Sequence, residues 1–166
     1  ARDDLQRQLN QVEGEAVASR DVHRVVFVHC GGEERQADAG SIENLAQVEV
    51  IEAILRRVRT AGSILVLSPY SAQVRQLTSR RNIRGAVISS VDAAQGQEAD
   101  LVVISMVRAN PRGATGFTND ARRLNVAITR ARAGVIIVGH VPTVLTATDS
   151  GMPDLLQHLS ALGCVL

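Results

Sequence analysis

Five short stretches of this chain are apolar at every consecutive position: Val25-Val26-Phe27-Val28, Ile64-Leu65-Val66-Leu67, Ala86-Val87-Ile88, Leu101-Val102-Val103-Ile104 and Val135-Ile136-Ile137-Val138. A strand with one wet face alternates apolar and polar residues; a continuous β-branched run needs cover on both faces, as in a parallel sheet. Helical periodicities lie between them. Asn44 to Arg59 reads as a helix with Leu45, Val48, Leu55 and Val58 on one face and Glu52/Arg56 as an outer pair. Ser68-Pro69 offers an N-cap and first-turn proline for a second helix reaching about Arg81. Asp120 to Arg132 is a third, and Pro153 to Leu162 a short last one. Strands alternating with helices predict a doubly wound α/β domain over residues 23–166. Residues 1–22 are polar, with Leu5, Leu9, Val12 and Ala16 at helical spacing, and read as a packing helix or a leader.

The length of 166 residues and 45% hydrophobic content suit one domain with a buried core. Every one of the 18 basic residues is arginine. Without lysine the chain cannot carry a phosphate-binding P-loop, a Schiff-base lysine or a lysine general base. Its formal net charge of +1 hides an uneven distribution: −6 over residues 1–53, +9 over 54–132 and −2 over 133–166. The basic block is either a solvated face or an electrostatic footprint for phosphates. Cys30 and Cys164 match no metal-ligand spacing and read as reduced, buried thiols of an intracellular protein. No apolar run approaches a membrane span, and no signal peptide opens the chain.

Three polar segments each follow a buried strand, where ligands of parallel sheets gather. Ser68-Pro69-Tyr70-Ser71-Ala72-Gln73 is either an ordinary capped helix start or a phosphate site at a helix N-terminus. In Ser90-Val91-Asp92-Ala93-Ala94-Gln95-Gly96-Gln97-Glu98, the glycine permits a tight turn and Glu98 is either solvated or a ligand for hydroxyls. In Arg122 to Arg132, the spacing of Leu124, Ala127, Ile128 and Ala131 predicts a buried stripe, and it puts Arg123 and Arg130 on nearly one helical face, suited to phosphate.

Together and in this order, the segments resemble the second RecA-like motor domain of superfamily 1 helicases, in the branch of the nonsense-mediated-decay RNA helicase. Ser105-Met106-Val107-Arg108-Ala109-Asn110, Gly116-Phe117 and the upstream Ser41 and Asn44 add to the match. The resemblance implies a three-layer fold with a mostly parallel sheet that lacks its own P-loop. It implies an ATP-dependent helicase in which Arg130 reaches the γ-phosphate across an inter-domain cleft, supported by Arg123. Gln95, Gly96 and Glu98 would lie by the nucleotide. Ser68, Pro69, Tyr70, Gln73, Ser90 and Asp92 would line a track for single-stranded RNA or DNA, and Arg108 and Asn110 would shape the loop leading to the arginine helix. ATP with Mg²⁺ would bind against a first RecA-like domain that holds the metal ligands, in the cytoplasm or nucleus.

Four departures stand against the family pattern: Gln47 for glutamate, Ala94 for phenylalanine, Ala99 for lysine, and no tyrosine-arginine segment within residues 1–22. They leave room for a non-catalytic binding or regulatory module of the same fold.

Overall fold

The computed structural model describes residues 24–58, 62–83, 85–114, 116, 121–147 and 151–166. The expected leader over residues 1–22, and Phe117, lie outside the described residues. All five apolar runs become strands of one sheet: β1 (Val25–His29), β4 (Ile64–Ser68), β5 (Ala86–Ser90), β6 (Ala99–Ser105) and β7 (Ala131–Gly139). Their order across the sheet is β1-β7-β6-β4-β5, and every neighbouring pair is parallel. The short β2 (Arg35–Gln36) and β3 (Ile42–Glu43) form a separate antiparallel pair. Residues 164–166 run beside β1, with a parallel bridge between Phe27 and Val165.

In β1, β4, β6 and β7 alternate side chains enter two different cores, which accounts for their unbroken apolar runs. The edge strand β5 instead packs Ala86 and Ile88 on one side and leaves Val87 exposed on the other, so the expected cover on both faces fails there. Phe27, Leu65, Leu67, Val102, Ile104, Val135 and Ile137 face one side, together with Met152, Leu156 and Leu159. Val28, Val66, Val103 and Val138 face the other, against Val48, Ile51, Ile54 and Leu77. The second side carries α1 (Leu45–Arg57) and α2 (Ser71–Thr78). The first carries α3 (Ala121–Ile128), α4 (Val141–Leu145) and α5 (Met152–Ala161). The expected three-layer α/β architecture is the one formed. No helix among the described residues is long and apolar enough to cross a membrane. Cys30 and Cys164 are free and buried, and burial pushes both thiols above their ordinary pKa.

Several local expectations are corrected. In α1 the buried face is Gln47, Val48, Ile51 and Ile54; Leu45, Leu55 and Val58 are only half-buried beside it. Glu52 accepts a hydrogen bond from Asn82. Helix α2 starts at Ser71 and stops at Thr78, a turn short of Arg81. Its first turn is not capped by Ser68: Ser41 Oγ, brought in from another segment, accepts the Ala72 N–H at 3.0 Å. Helix α3 stops at Ile128, so Ala131 and Arg132 belong to β7 and Arg130 to the turn between.

Candidate functional site

Because the sheet is parallel, its two edges differ, and the polar segments divide between them. Strands β4, β5 and β6 end at Ser68, Ser90 and Ser105 on the carboxyl edge. Residues 91–98 then cross back over one face so that β6 can start at the opposite, amino edge. Helix α3 makes the same journey, since β7 must also start there. Each segment thus has one end at each edge. Placement of all three polar clusters at strand carboxyl ends is corrected here: Glu98 and Arg130 stand at the amino edge.

At the carboxyl edge a buried polar network comes first. Gln73 is fully buried: its Oε1 accepts the Asn44 N–H at 2.8 Å, and its Nε2 donates to Asn44 O and Ser105 Oγ at 3.0 Å each. Ser105 Oγ donates to Gln47 Oε1 at 2.9 Å, which also accepts the Val107 N–H at 2.8 Å. Asn44 caps α1 through the Gln47 N–H and donates to Gly32 O and Val107 O. Ser68 is buried too, its hydroxyl accepting the Tyr70 N–H at 3.3 Å. The side chains of Gln73 and Ser68 are therefore inside the domain and face no solvent track, which corrects their expected direct role.

Above this network lie the accessible groups. Pro69, Tyr70 and Ser90 are half-buried, and Asp92 is exposed. Ser90 Oγ accepts the Ala93 N–H at 3.1 Å and turns the chain out of β5. Arg123, at the start of α3, stands 3.5 Å from Asp92. Arg123 also lines a small cleft with Pro69, Val91, Ile104, Met106, Leu124 and Ala127. Next to it, Val107 has a φ of 67° and is the middle of a tight turn closed by Arg108 N–H to Met106 O at 2.7 Å. Left-handed backbone is costly for a β-branched residue, and the Gln47 and Asn44 bonds hold it there.

That turn aims Arg108 at Glu34, a residue sequence reasoning missed. Glu34 Oε2 accepts from Arg108 Nε at 3.0 Å, Ala109 N at 2.7 Å and Asn110 Nδ2 at 3.0 Å. Burial alone would raise the Glu34 carboxyl, but the bonds from Asn110, Ala109 and Arg108 outweigh it and hold the pKa below its ordinary value. Asn110 Oδ1 accepts from Arg112 N and Ala114 N, so Arg108 and Asn110 do shape this loop. Arg108 Nη1 also approaches the Tyr70 hydroxyl at 3.5 Å. No signal in the sequence marked Glu34, an acid within a Gly-Gly-Glu-Glu stretch of a polar loop.

At the amino edge, the Ala99 N–H donates to Arg130 O at 3.0 Å, which puts Glu98 and Arg130 on adjoining segments. Arg130 Nε donates to Val126 O at 3.0 Å, closing the end of α3. Among the described residues its terminal nitrogens take no hydrogen bond or ion pair. Gln95, Gly96 and Glu98 are exposed. Gly96 has a φ of 83° with open space where a Cβ would stand, so the turn requires glycine for its backbone conformation. Arg123 lies near the start of α3 and Arg130 in the turn beyond its end, so the expected shared helical face does not form.

Two helical layers packed on the two faces of a parallel sheet, with polar turns at both edges, define a RecA-like α/β domain. The AAA domain family model matches residues 3–142. The chain is 40% identical over 133 residues to the regulator of nonsense transcripts 1 homolog of Drosophila melanogaster, covering 72% of this chain and 11% of that protein. It is 31% identical over 160 residues to the ATP-dependent helicase NAM7 of Saccharomyces cerevisiae, covering 89% of this chain and 16% of that one. It is 34% identical over 129 residues to helicase sen1 of Schizosaccharomyces pombe, covering 69% of this chain and 8% of that protein. The chain belongs to the AAA domain family and is similar to part of the nonsense-transcript regulators and of the helicase NAM7. It spans less than a fifth of the length of these relatives.

Proposed function

We propose that this domain is the second motor half of an ATP-dependent helicase, with a nucleotide half-site at its amino edge and part of a single-strand track at its carboxyl edge. The observation that carries this reading is that the Ala99–Arg130 backbone hydrogen bond sets the segments bearing Glu98 and Arg130 side by side, on the edge away from Tyr70, Asp92 and Arg123. The residues fit an ATP phosphate: Arg130 keeps a planar, permanently charged fork with its terminal nitrogens unengaged among the described residues. Exposed Glu98 suits ribose hydroxyls, and Gln95 and Gly96 leave room beside it. Bound between this domain and a first one, ATP would supply the phosphoryl group to be transferred. Arg130 would stabilise the charge developing there, a contribution worth about 10³–10⁵ in rate in arginine-finger enzymes. Among the described residues no three His, Cys, Asp or Glu side chains cluster, so in this reading Mg²⁺ ligands come from the first domain.

On the other edge, Asp92–Arg123, Pro69, Tyr70 and Ser90 would meet RNA or DNA through its phosphates, with Tyr70 as the stacking ring. Gln73 and Ser68 act from beneath, by fixing the start of α2. The protein would work inside the cell, in cytoplasm or nucleus, wherever its single strand is found. The test is Arg130→Ala in the full-length protein: ATP binding should be largely kept while turnover falls by about 10³-fold or more to a small residual rate. Absence of turnover even with Arg130 intact would favour a non-catalytic module of the same fold, and unchanged turnover in the variant would sink the finger assignment.

A further inference from the structure

Strands β6 and β7 do not run in even register where they begin. Ala99 pairs with Ala131, but Leu101 pairs with Gly134, so Asp100 alone stands opposite Arg132 and Ala133. This two-against-one step is a β-bulge, a device that re-aims the chain beside it. The bulge follows Arg130 by two residues and is bound together by side chains. Asp100 Oδ1 accepts from Arg132 Nε at 3.2 Å, and Oδ2 from Arg132 Nη2 at 3.3 Å. Oδ2 also accepts from Ser63 N at 2.7 Å and Ser63 Oγ at 2.9 Å, at the foot of β4. Arg132 Nη2 closes the triangle on Ser63 Oγ at 3.2 Å.

One carboxylate therefore ties three strands at the edge where the segments of Glu98 and Arg130 adjoin. A two-pronged grip fixes direction as well as distance. Ordinary sheet pairing would not need it, because the Ala99–Arg130 bond already joins the strands. The turn at residues 129–130 leads into β7. On its helix side it is held by the Thr129 N–H on Asn125 O, the Arg130 N–H on Ala127 O and Arg130 Nε on Val126 O. On its strand side it runs straight into the bulge that the side-chain triangle holds. We propose that Asp100 is a positioning residue for Arg130: by holding Arg132 across the bulge, it sets the direction in which the Arg130 side chain points into the nucleotide cleft. This rests on the arginine-finger reading above.

The test is a double-mutant cycle on ATP turnover in the full-length protein, with Asp100→Asn, Arg130→Ala and the pair. Misplacing a catalytic group by about 1 Å can cost about 100-fold, so Asp100→Asn should lower kcat by roughly 10- to 100-fold with KM for ATP held within about two-fold. In the Arg130→Ala background the same change should have no further effect, since the group it orients is gone. Asp100 is partly exposed, and a thermal melt checks that the variant is folded; should it not be, Arg132→Gln carries the same cycle. Wild-type turnover in Asp100→Asn, or an equal loss in both backgrounds, overturns the positioning role and leaves the finger standing. Full turnover in Arg130→Ala overturns both.

Discussion

The Val107 N–H donates to Gln47 Oε1 across 2.8 Å, and that bond steadies a β-branched residue in left-handed backbone. The same oxygen takes the Ser105 hydroxyl, while Gln47 Nε2 is buried without a partner among the described residues. Position 47 is used as an acceptor alone, which a glutamine fills at the expense of one idle donor.

Gln47→Leu should therefore destabilise the domain by about 1–3 kcal/mol, the cost of leaving buried donors unsatisfied. Urea denaturation of the two proteins measures it. A change under a few tenths of a kcal/mol would mean that the Val107 turn stands without this acceptor.

Arg130→Lys keeps the charge and loses the fork. Since a compact ammonium cannot reproduce a bidentate grip, turnover should fall nearly as far as in Arg130→Ala. Steady-state ATPase assays of both variants compare them; a lysine enzyme at wild-type rate would show that charge alone suffices.

Arg123 sits with Asp92 at the carboxyl edge, far along α3 from Arg130. Its loss should weaken binding of single strands of any sequence to a similar extent, and reduce the slope of log K against log salt by about one. Fluorescence titrations of Arg123→Ala at several salt concentrations give that slope. An unaltered slope would place Arg123 off the track.

The carboxyl edge near α4 carries a pH dependence. His140 Nδ1 accepts the Thr143 N–H and contacts Thr143 Oγ1 at 2.8 Å, and His29 Nδ1 accepts the Val141 N–H. The rings pack with centroids 5.5 Å apart. Burial, then the neighbouring His29, lowers the His140 pKa below its ordinary 6.5. The unfolded chain thus binds this proton more readily, so the stabilisation is fully present above pH 6.5 and is lost as pH falls from there through the depressed folded value. Asparagine also caps helices, so His140→Asn should flatten the fall in melting temperature between neutral and mildly acidic pH. An unchanged pH profile would assign the acid sensitivity elsewhere.

Glu34 acts in a lower window. Its carboxyl is held below the ordinary value of 4.5, so its stabilisation is present above that pH and lost as pH falls through the depressed one. Glu34→Gln should lose part of the Arg108 and Asn110 anchoring at neutral pH and titrate less steeply in acid. Denaturation midpoints at pH 3 to 7 would reveal it, and identical slopes would argue that Glu34 is not the loop's anchor.

The five strands and the three-layer order were readable from the chain, because a run of β-branched residues has one comfortable environment and carries that information locally. The glycine turn at Gly96 and the family membership were readable for the same reason: each rests on residues near one another in sequence. What tertiary structure decided is direction and depth. Glu98 and Arg130 fell to the amino edge because two segments must re-cross the sheet before the next parallel strand can begin, a requirement that no single segment displays. Helix α3 ended at Ile128 because β7 begins at Ala131, which pairs with Ala99, overriding helical spacing that ran on to Arg132. Gln73 and Ser68 look like exposed polar residues in a list of letters, and only packing buries them. Glu34 takes its meaning from Arg108, 74 residues later. Local patterns specify which element forms; the partners of a polar group depend on how distant segments are brought together, and that is settled only when the sheet closes.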